Sequence, residues 1–195
     1  MNKKPDRRVE RTKQALRTAL VELILEKGYE AISVQDMVER ANIGRSTFYM
    51  HYSAKDAVFL DAFRPLERAL QATLAQGGAG WMRYVTLLFQ HVDMDRRLYR
   101  ALAGERGGEL AVKHIRKILF DLVQKDFASR PHGKPHSKTT SNAAEHFTVT
   151  AIIGVLTWWL DHNPRWGSEE VEHFLHKMLA PGLDQIFADD AKPAP

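Results

Sequence analysis

The chain contains no cysteine. That removes disulfides, iron–sulfur clusters and thiol catalysis, and it suits a reducing compartment. Long apolar runs are missing as well. Nowhere do about 18 apolar residues follow one another, so no membrane span is expected. The basic start, MNKKPDRRVERTKQ, has no apolar stretch behind it and does not read as a secretory signal. The period-two alternation of half-buried strands is absent throughout, and there is no internal repeat. Spaced ligand sets are also lacking. His173 and His176 lie three apart in EHFLH, and His132 and His136 flank a loop, but neither pair is completed by further ligands, so neither a metal nor a cofactor is expected. GERGGE at 104–109 follows no strand and so is no phosphate cradle. GRSTF lacks the strand that would lead into a nucleophile at Ser46. With no catalytic set in view, the sequence does not read as an enzyme.

What is present is charge and helical periodicity. Of 195 residues, 44% are apolar, which is enough for a real core, and the formal net charge is +4 with a pI of about 9.3. The positive charge is concentrated at the front. Residues 1–17 carry Lys3, Lys4, Arg7, Arg8, Arg11, Lys13 and Arg17 against only Asp6 and Glu10. A basic arm ahead of a folded unit attracts phosphates, although a solvated helix face would look the same.

The apolar spacing predicts helices almost throughout. The first covers 7–27, with Gly28 as its stop. Ser33 with Asp36 forms a capping-box pattern for a short second helix to about Ala41. After the turn NIG, a third short helix runs from Arg45 to His51, and Ser53 with Asp56 repeats the capping pattern for a fourth, to about Ala75. QGGAG at 76–80 is the clearest breaker. Beyond it, helices are expected at 81–92, 96–103, 109–129, 140–161 and 168–188, with a loop at RPHGKPHSK and a frayed tail at 189–195. The fold class is all-α. A helix-turn-helix domain (1–53) with a basic N-terminal arm precedes a larger helical domain (54–188).

The second and third helices, joined by a tight turn, make a helix-turn-helix arrangement. Val34, Met37, Val38, Phe48 and Tyr52 supply its core face, Ile43 plugs the turn, and Gly44 can serve as an N-cap. The outer face of the third helix then holds Arg45, Ser46, Thr47, Tyr49, Met50 and His51. An idle surface would favour Lys and Glu there. Arg can bond both acceptors of a guanine edge, and hydroxyls pair in either sense. Tyr49 and His51 could reach phosphate oxygens, and Lys55 with the amides opening the next helix could hold another phosphate. The partner this face fits is double-stranded DNA.

The segment SVQDMVERANIGRSTFYMHYSAKDAVFLDAF resembles the DNA-binding domain of the TetR family of bacterial transcription regulators. IGRSTFYMHYSAKDAV carries most of the likeness, which spans roughly residues 9–63. The resemblance implies DNA contacts from Thr47, Tyr49, His51 and Lys55, and a phosphate contact from Ser33. Arg45 and Ser46 stand where members vary and set the operator. Gly44 departs from the Ser cap common there. The resemblance further implies a cytoplasmic, nucleoid-associated repressor that binds a pseudo-palindromic operator as a homodimer, with a small-molecule effector releasing it. GVLTWWLDHNPRWGSEEVEHFL is similar to a C-terminal subgroup that includes an activator of a dihydroxyacetone-kinase operon, whose partner is a protein. A helical adaptor whose main partner is another protein is therefore the alternative.

In the second half, Phe147, Ala151, Ile152, Val155 and Trp159 lie on one helical stripe, and Val171, Phe174, Leu175 and Met178 on another. Both are candidates for an intersubunit four-helix bundle, or for packing within their own domain. Candidate effector-pocket residues are Trp81, Tyr84, Phe89, His91, Tyr99, His114, Phe120, Phe147 and Trp158, because aromatics with polar tips line ligand cavities; they also build ordinary cores. Pro65 interrupts the fourth helix and is either a hinge or a passive break.

Overall fold

The computed structural model describes residues 7–75, 83–102, 106–129, 137–162 and 165–189. Among the described residues every regular element is helical: α1 (Arg7–Lys27), α2 (Val34–Arg40), α3 (Arg45–His51), α4 (Lys55–Ala62), α5 (Arg64–Ala75), α6 (Arg83–Met94), α7 (Arg96–Leu102), α8 (Arg106–Ala128), α9 (Lys138–His162) and α10 (Ser168–Asp189). The breaker at 76–80, Trp81, the loop histidines His132 and His136 and most of the tail lie outside the described residues.

Contacts divide the chain into two units. The first comprises Met1–Pro65 and Arg97–Ala111, the second Leu66–Arg96 and Val112–Pro195. The border expected at residue 53 is therefore displaced. The reason is α4, which packs on α1 and sends Val58, Phe59 and Phe63 into the same core as Leu16, Leu20, Leu23 and Ile24. Tyr29, fully buried, meets Phe59 at 5.0 Å between ring centroids.

Local chemistry explains the boundaries in the first unit. α1 stops at Gly28, whose φ of 75° is a left-handed conformation that costs glycine little. α2 opens with a reciprocal capping box: the Asp36 amide donates to Ser33 Oγ at 3.1 Å, and the Ser33 amide donates to Asp36 Oδ2 at 2.7 Å. The turn to α3 places Asn42 at φ 51°, a region asparagine tolerates, and Gly44 is the N-cap of α3.

Two expectations are corrected, and the break at Pro65 is located. Ser53 and Asp56 form no capping box: the N-cap of α4 is Ala54, without a side-chain bond, and Asp56 instead accepts from the Tyr29 hydroxyl and from Arg106. The fourth helix is split at Pro65, as a proline inside it leads one to expect. Phe63 caps α4, and Pro65 is the second residue of α5, where its missing N–H is not needed. Finally, α8 begins at Arg106, not Glu109, so two glycines lie in its first turn. Gly107 serves close packing here. A Cβ at this position would lie 2.8 Å from Leu102 Cδ2 and 2.9 Å from Tyr29 Cβ and Cγ.

In the second unit α10 packs on α6 and α9. Trp159 is fully buried, 5.5 Å from Phe89, and its Nε1 donates to the Trp166 carbonyl at 2.9 Å. The Arg96 guanidinium sits 3.9 Å from the centroid of the Trp159 ring. By length and composition α9 could cross a membrane, contrary to the expectation that nothing in the chain could. Its inward face, however, runs Ile152, Leu156 and Trp159 in a protein core and also buries Ser141, Glu145 and Thr148.

Candidate nucleic-acid interface

The outer face of α3 is built around one inward anchor. Phe48 is its only fully buried side chain, held edge-on by Tyr49 at 5.2 Å and tilted against Tyr52 at 6.1 Å. This rotation leaves Arg45 and Ser46 exposed, with Tyr49 55% and Met50 73% exposed, while Thr47 and His51 are half-buried. Among the described residues, the side-chain polar atoms of Arg45, Ser46, Thr47 and Tyr49 have no hydrogen-bond partner, so they face outward unspent.

Two predicted contacts are used internally. The Lys55 ammonium donates to the carbonyls of Tyr29 (2.8 Å), Ile32 (2.9 Å) and Glu30 (3.3 Å), and lies 4.4 Å from the centroid of the Tyr29 ring. An ammonium has three protons, and three carbonyls take them. Lys55 is thus a clamp on the α1–α2 loop. Ser33 is similarly occupied. Its hydroxyl donates to Asp36 Oδ2 at 2.6 Å and its amide goes to the same carboxylate, so neither donor is left for a phosphate. Lys27, at 2.9 Å, and the Ser33 bonds hold that carboxyl well below the usual carboxylate range, so it stays anionic.

A residue missed in the sequence joins the face. Gln35, early in α2, lines a surface cleft with Val38, Glu39, Asn42, Ile43 and Arg45. Its amide donates to Glu39 Oε1 at 2.5 Å. The available signal was a lone amide at the second helical position, on the solvent side of the turn. The positive charge of the arm and of α2 is also partly neutralised. Arg17 is engaged by Glu10 (2.7 Å) and Asp61 (2.8 Å), and Arg40 by Glu22 and Glu26, whereas Arg7 and Arg11 are exposed.

Behind α3 lies a polar centre. Asp61, 6% exposed in the last turn of α4, accepts from the Tyr52 hydroxyl at 2.6 Å, Arg17 Nη1 at 2.8 Å and Arg64 Nε at 2.8 Å. Burial would raise its pKa. The Tyr52 and Arg17 bonds and the charge of Arg64 outweigh burial and hold the carboxyl below its ordinary value. Burial and Asp61 together push the Tyr52 phenol up, so it remains a donor.

The effector-pocket candidates are not gathered into one place. Tyr84 and Phe89 are buried in the second unit, Tyr99 belongs to the first, and Phe147 (64%) and Trp158 (39%) are exposed. Phe120 packs edge-on against His146 at 4.7 Å. His91 and His114 are partly buried, and burial lowers both imidazole pKa values. Trp81 lies outside the described residues. The dimer-face candidates divide as well. Ile152, Trp159, Val171 and Leu175 are buried within the chain's own core and cannot form an outer face, whereas Phe147, Phe174 and Met178 are exposed and Ala151 and Val155 half-exposed. Gly154 has open space where a Cβ would be.

A short capped helix, a left-handed turn and a second helix with its polar face outward define a helix-turn-helix DNA-binding fold. Residues 16–62 match the family model described as bacterial regulatory proteins, tetR family, and residues 80–181 match a second TetR-type model, described as a transcriptional regulator C-terminal region. The chain belongs to the TetR family. It is 44% identical over 195 aligned residues to the uncharacterized HTH-type transcriptional regulator YxbF of Bacillus subtilis, covering 89% of this chain and 47% of that protein. The chain thus spans about half the length of this relative. Among solved structures it resembles a TetR transcriptional regulator from Streptococcus agalactiae (TM-score 0.64, 24% identity, 89% and 96% of the two chains). It also resembles the dihydroxyacetone kinase operon activator DhaS (TM-score 0.65, 18% identity, 90% and 96% of the two chains), a likeness of fold.

Proposed function

We propose that the chain is a homodimeric transcription repressor whose α3 reads the major groove of a pseudo-palindromic operator. The observation that carries this reading is the outer face of α3, where the polar atoms of Arg45, Ser46, Thr47 and Tyr49 lie together with no hydrogen-bond partner among the described residues. Arg45 and Ser46 address base edges, Thr47 a thymine methyl or an acceptor, and Tyr49 and His51 the phosphates. Gln35, across the cleft from Arg45, suits an adenine edge. Two heads would meet half-sites about 34–36 Å apart, or a multiple of that. The second copy is met through Phe147, Ala151, Val155, Phe174 and Met178, the outward remainder of the two stripes.

Release by a small-molecule effector rests on the polar groups inside the second unit, His91 and His114 on α6 and α8 and Ser141, Glu145 and Thr148 on α9. The repressor sign, the effector and a cytoplasmic, nucleoid-associated location follow the family. Selection of bound sequences from random DNA by the purified protein tests the reading, with a palindromic motif as the expected result. Arg45→Ala should cost about 1–3 kcal/mol on that motif and relax the choice of base at one position. Equal losses on motif and random DNA would exclude base reading by Arg45.

A second reading, an adaptor for a partner protein, is favoured by one observation. Trp158, Trp166 and Phe174, each more than a third exposed, form a chain of ring contacts at 5.7 Å spacing. Light scattering decides between the two readings. A dimer supports the first, and a monomer that leaves the two tryptophans and Phe174 exposed supports the second.

A further inference from the structure

The reading of DNA by α3 makes no use of the polar centre behind it, and that centre is costly. Replacing a buried ion pair by apolar side chains of similar volume is often neutral or stabilising, so Asp61 is not needed for the head merely to hold together. What it supplies is direction. α3 has seven residues and buries one side chain fully, Phe48. A short helix pinned at one apolar point resists rolling about its own axis poorly. A roll of about 20° moves a side-chain tip about 6 Å from that axis by roughly 2 Å. Productive recognition geometry tolerates about 0.5 Å.

The second pin is at the far end of the helix. Tyr52 is the C-cap of α3, with its amide on the Phe48 carbonyl at 2.9 Å and its ring beside Phe48. Its hydroxyl reaches Asp61 on α4 at 2.6 Å. The same carboxylate takes Arg17 from the middle of α1, and Arg17 is itself set by Glu10 and Gln14. Bonds of 2.6–2.8 Å fail within a few tenths of an ångström, whereas an apolar contact slides. Three helices are therefore referenced to one carboxylate: α3 with the base-reading face, α1 with the arginines of the arm, and α4. Arg64, the first residue of α5, is the third donor to it.

We propose that Asp61 is a positioning residue for base reading, fixing the roll of α3 against α1 through Tyr52 and Arg17 so that Arg45 and Ser46 meet base edges in register. The inference rests on the DNA-reading function above. Asp61→Asn keeps the shape and removes the charge, and Tyr52→Phe keeps the ring and removes only the donor. Each is measured against the selected operator and against random duplex at the same salt. Both variants should lose about tenfold on the operator and change less than about twofold on random DNA, because phosphate contacts carry most of non-specific binding. Arg45→Ala should then cost at least about threefold less in either background than in the wild type, the mark of coupled positions.

A merely structural role would lower the folded fraction and weaken both DNAs alike. Arg45→Ala losses that multiply unchanged in both backgrounds, or an unchanged operator-to-random ratio, would overturn the inference. If Asp61→Asn does not fold, Tyr52→Phe decides alone. A wild type without operator preference would sink the DNA reading itself, and this inference with it. A wild type with that preference, and variants that keep it, would sink this inference only.

Discussion

Lys55 carries its charge inward. Three carbonyls in the loop between α1 and α2 take its protons, and Tyr29 lies beneath it. Lys55→Ala should therefore lower folding stability by about 1–3 kcal/mol, as loss of charge-assisted bonds does. It should leave the salt dependence of DNA binding unchanged; a slope shallower by about one in a salt titration would restore Lys55 to the phosphates. Gly107→Ala should also be costly, since the new methyl meets the stiff Cβ and Cγ of Tyr29 at 2.9 Å, and overpacking of this kind costs about 1–3 kcal/mol in a denaturant midpoint series. The Ser33–Asp36 box could be read from the sequence because its partners are three apart and need only a helix to meet. Lys55 with Tyr29, or Asp61 with Arg17, could not: their partners lie 26 and 44 positions away, and only the packing of α4 on α1 brings them together.

At the level of elements, the stripes on α9 and α10 could be found in the sequence, but their direction could not. α9 is apolar on more than one side, so periodicity alone does not say which apolar side chains face inward. Burial does. Ile152 and Trp159 belong to the interior, and Phe147 and Met178, each 64% exposed, to the outside. Phe147→Asp with Met178→Asp should yield a folded monomer in sedimentation, while Ile152→Ala should leave the association state alone and cost about 2–5 kcal/mol of stability. A dimer surviving the double charge substitution would place the interface elsewhere. The start of α8 at Arg106 was hidden in the sequence for a related reason. Two adjacent glycines signal a break by propensity, but here the tight approach of Tyr29 to Gly107 calls for a residue without a side chain.

For the molecule as a whole, the titrating groups give stability a sign in pH. Burial lowers the pKa of both His91 and His114 below the ordinary 6.5. The unfolded chain then binds protons that the folded chain resists, so stability falls as pH drops below about 6.5 and goes on falling until the folded imidazoles protonate. The Asp61 carboxyl, also depressed, adds a further loss in stronger acid, as pH falls from its unfolded value of 3.8 through its folded one. The thermal midpoint should drop between pH 7.5 and 5.5. Replacing both histidines by glutamine should flatten that dependence, and equal slopes would show that the acid response arises elsewhere. The all-helical class was evident from periodicity. The border between units was not, because residues 97–111 return to the first unit from more than thirty positions away.

That return has a consequence for how such regulators can be recombined. The first unit is assembled from two stretches of chain, and the polypeptide passes between the units three times. A single crossover at residue 65 would carry Tyr29 and Asp56 into a hybrid while leaving Gly107 and Arg106 behind, exchanging a fitted contact for whatever the recipient has there. A transplanted first unit should keep that contact only when the segment 97–111 travels with it, which a denaturation midpoint of the two hybrids would show.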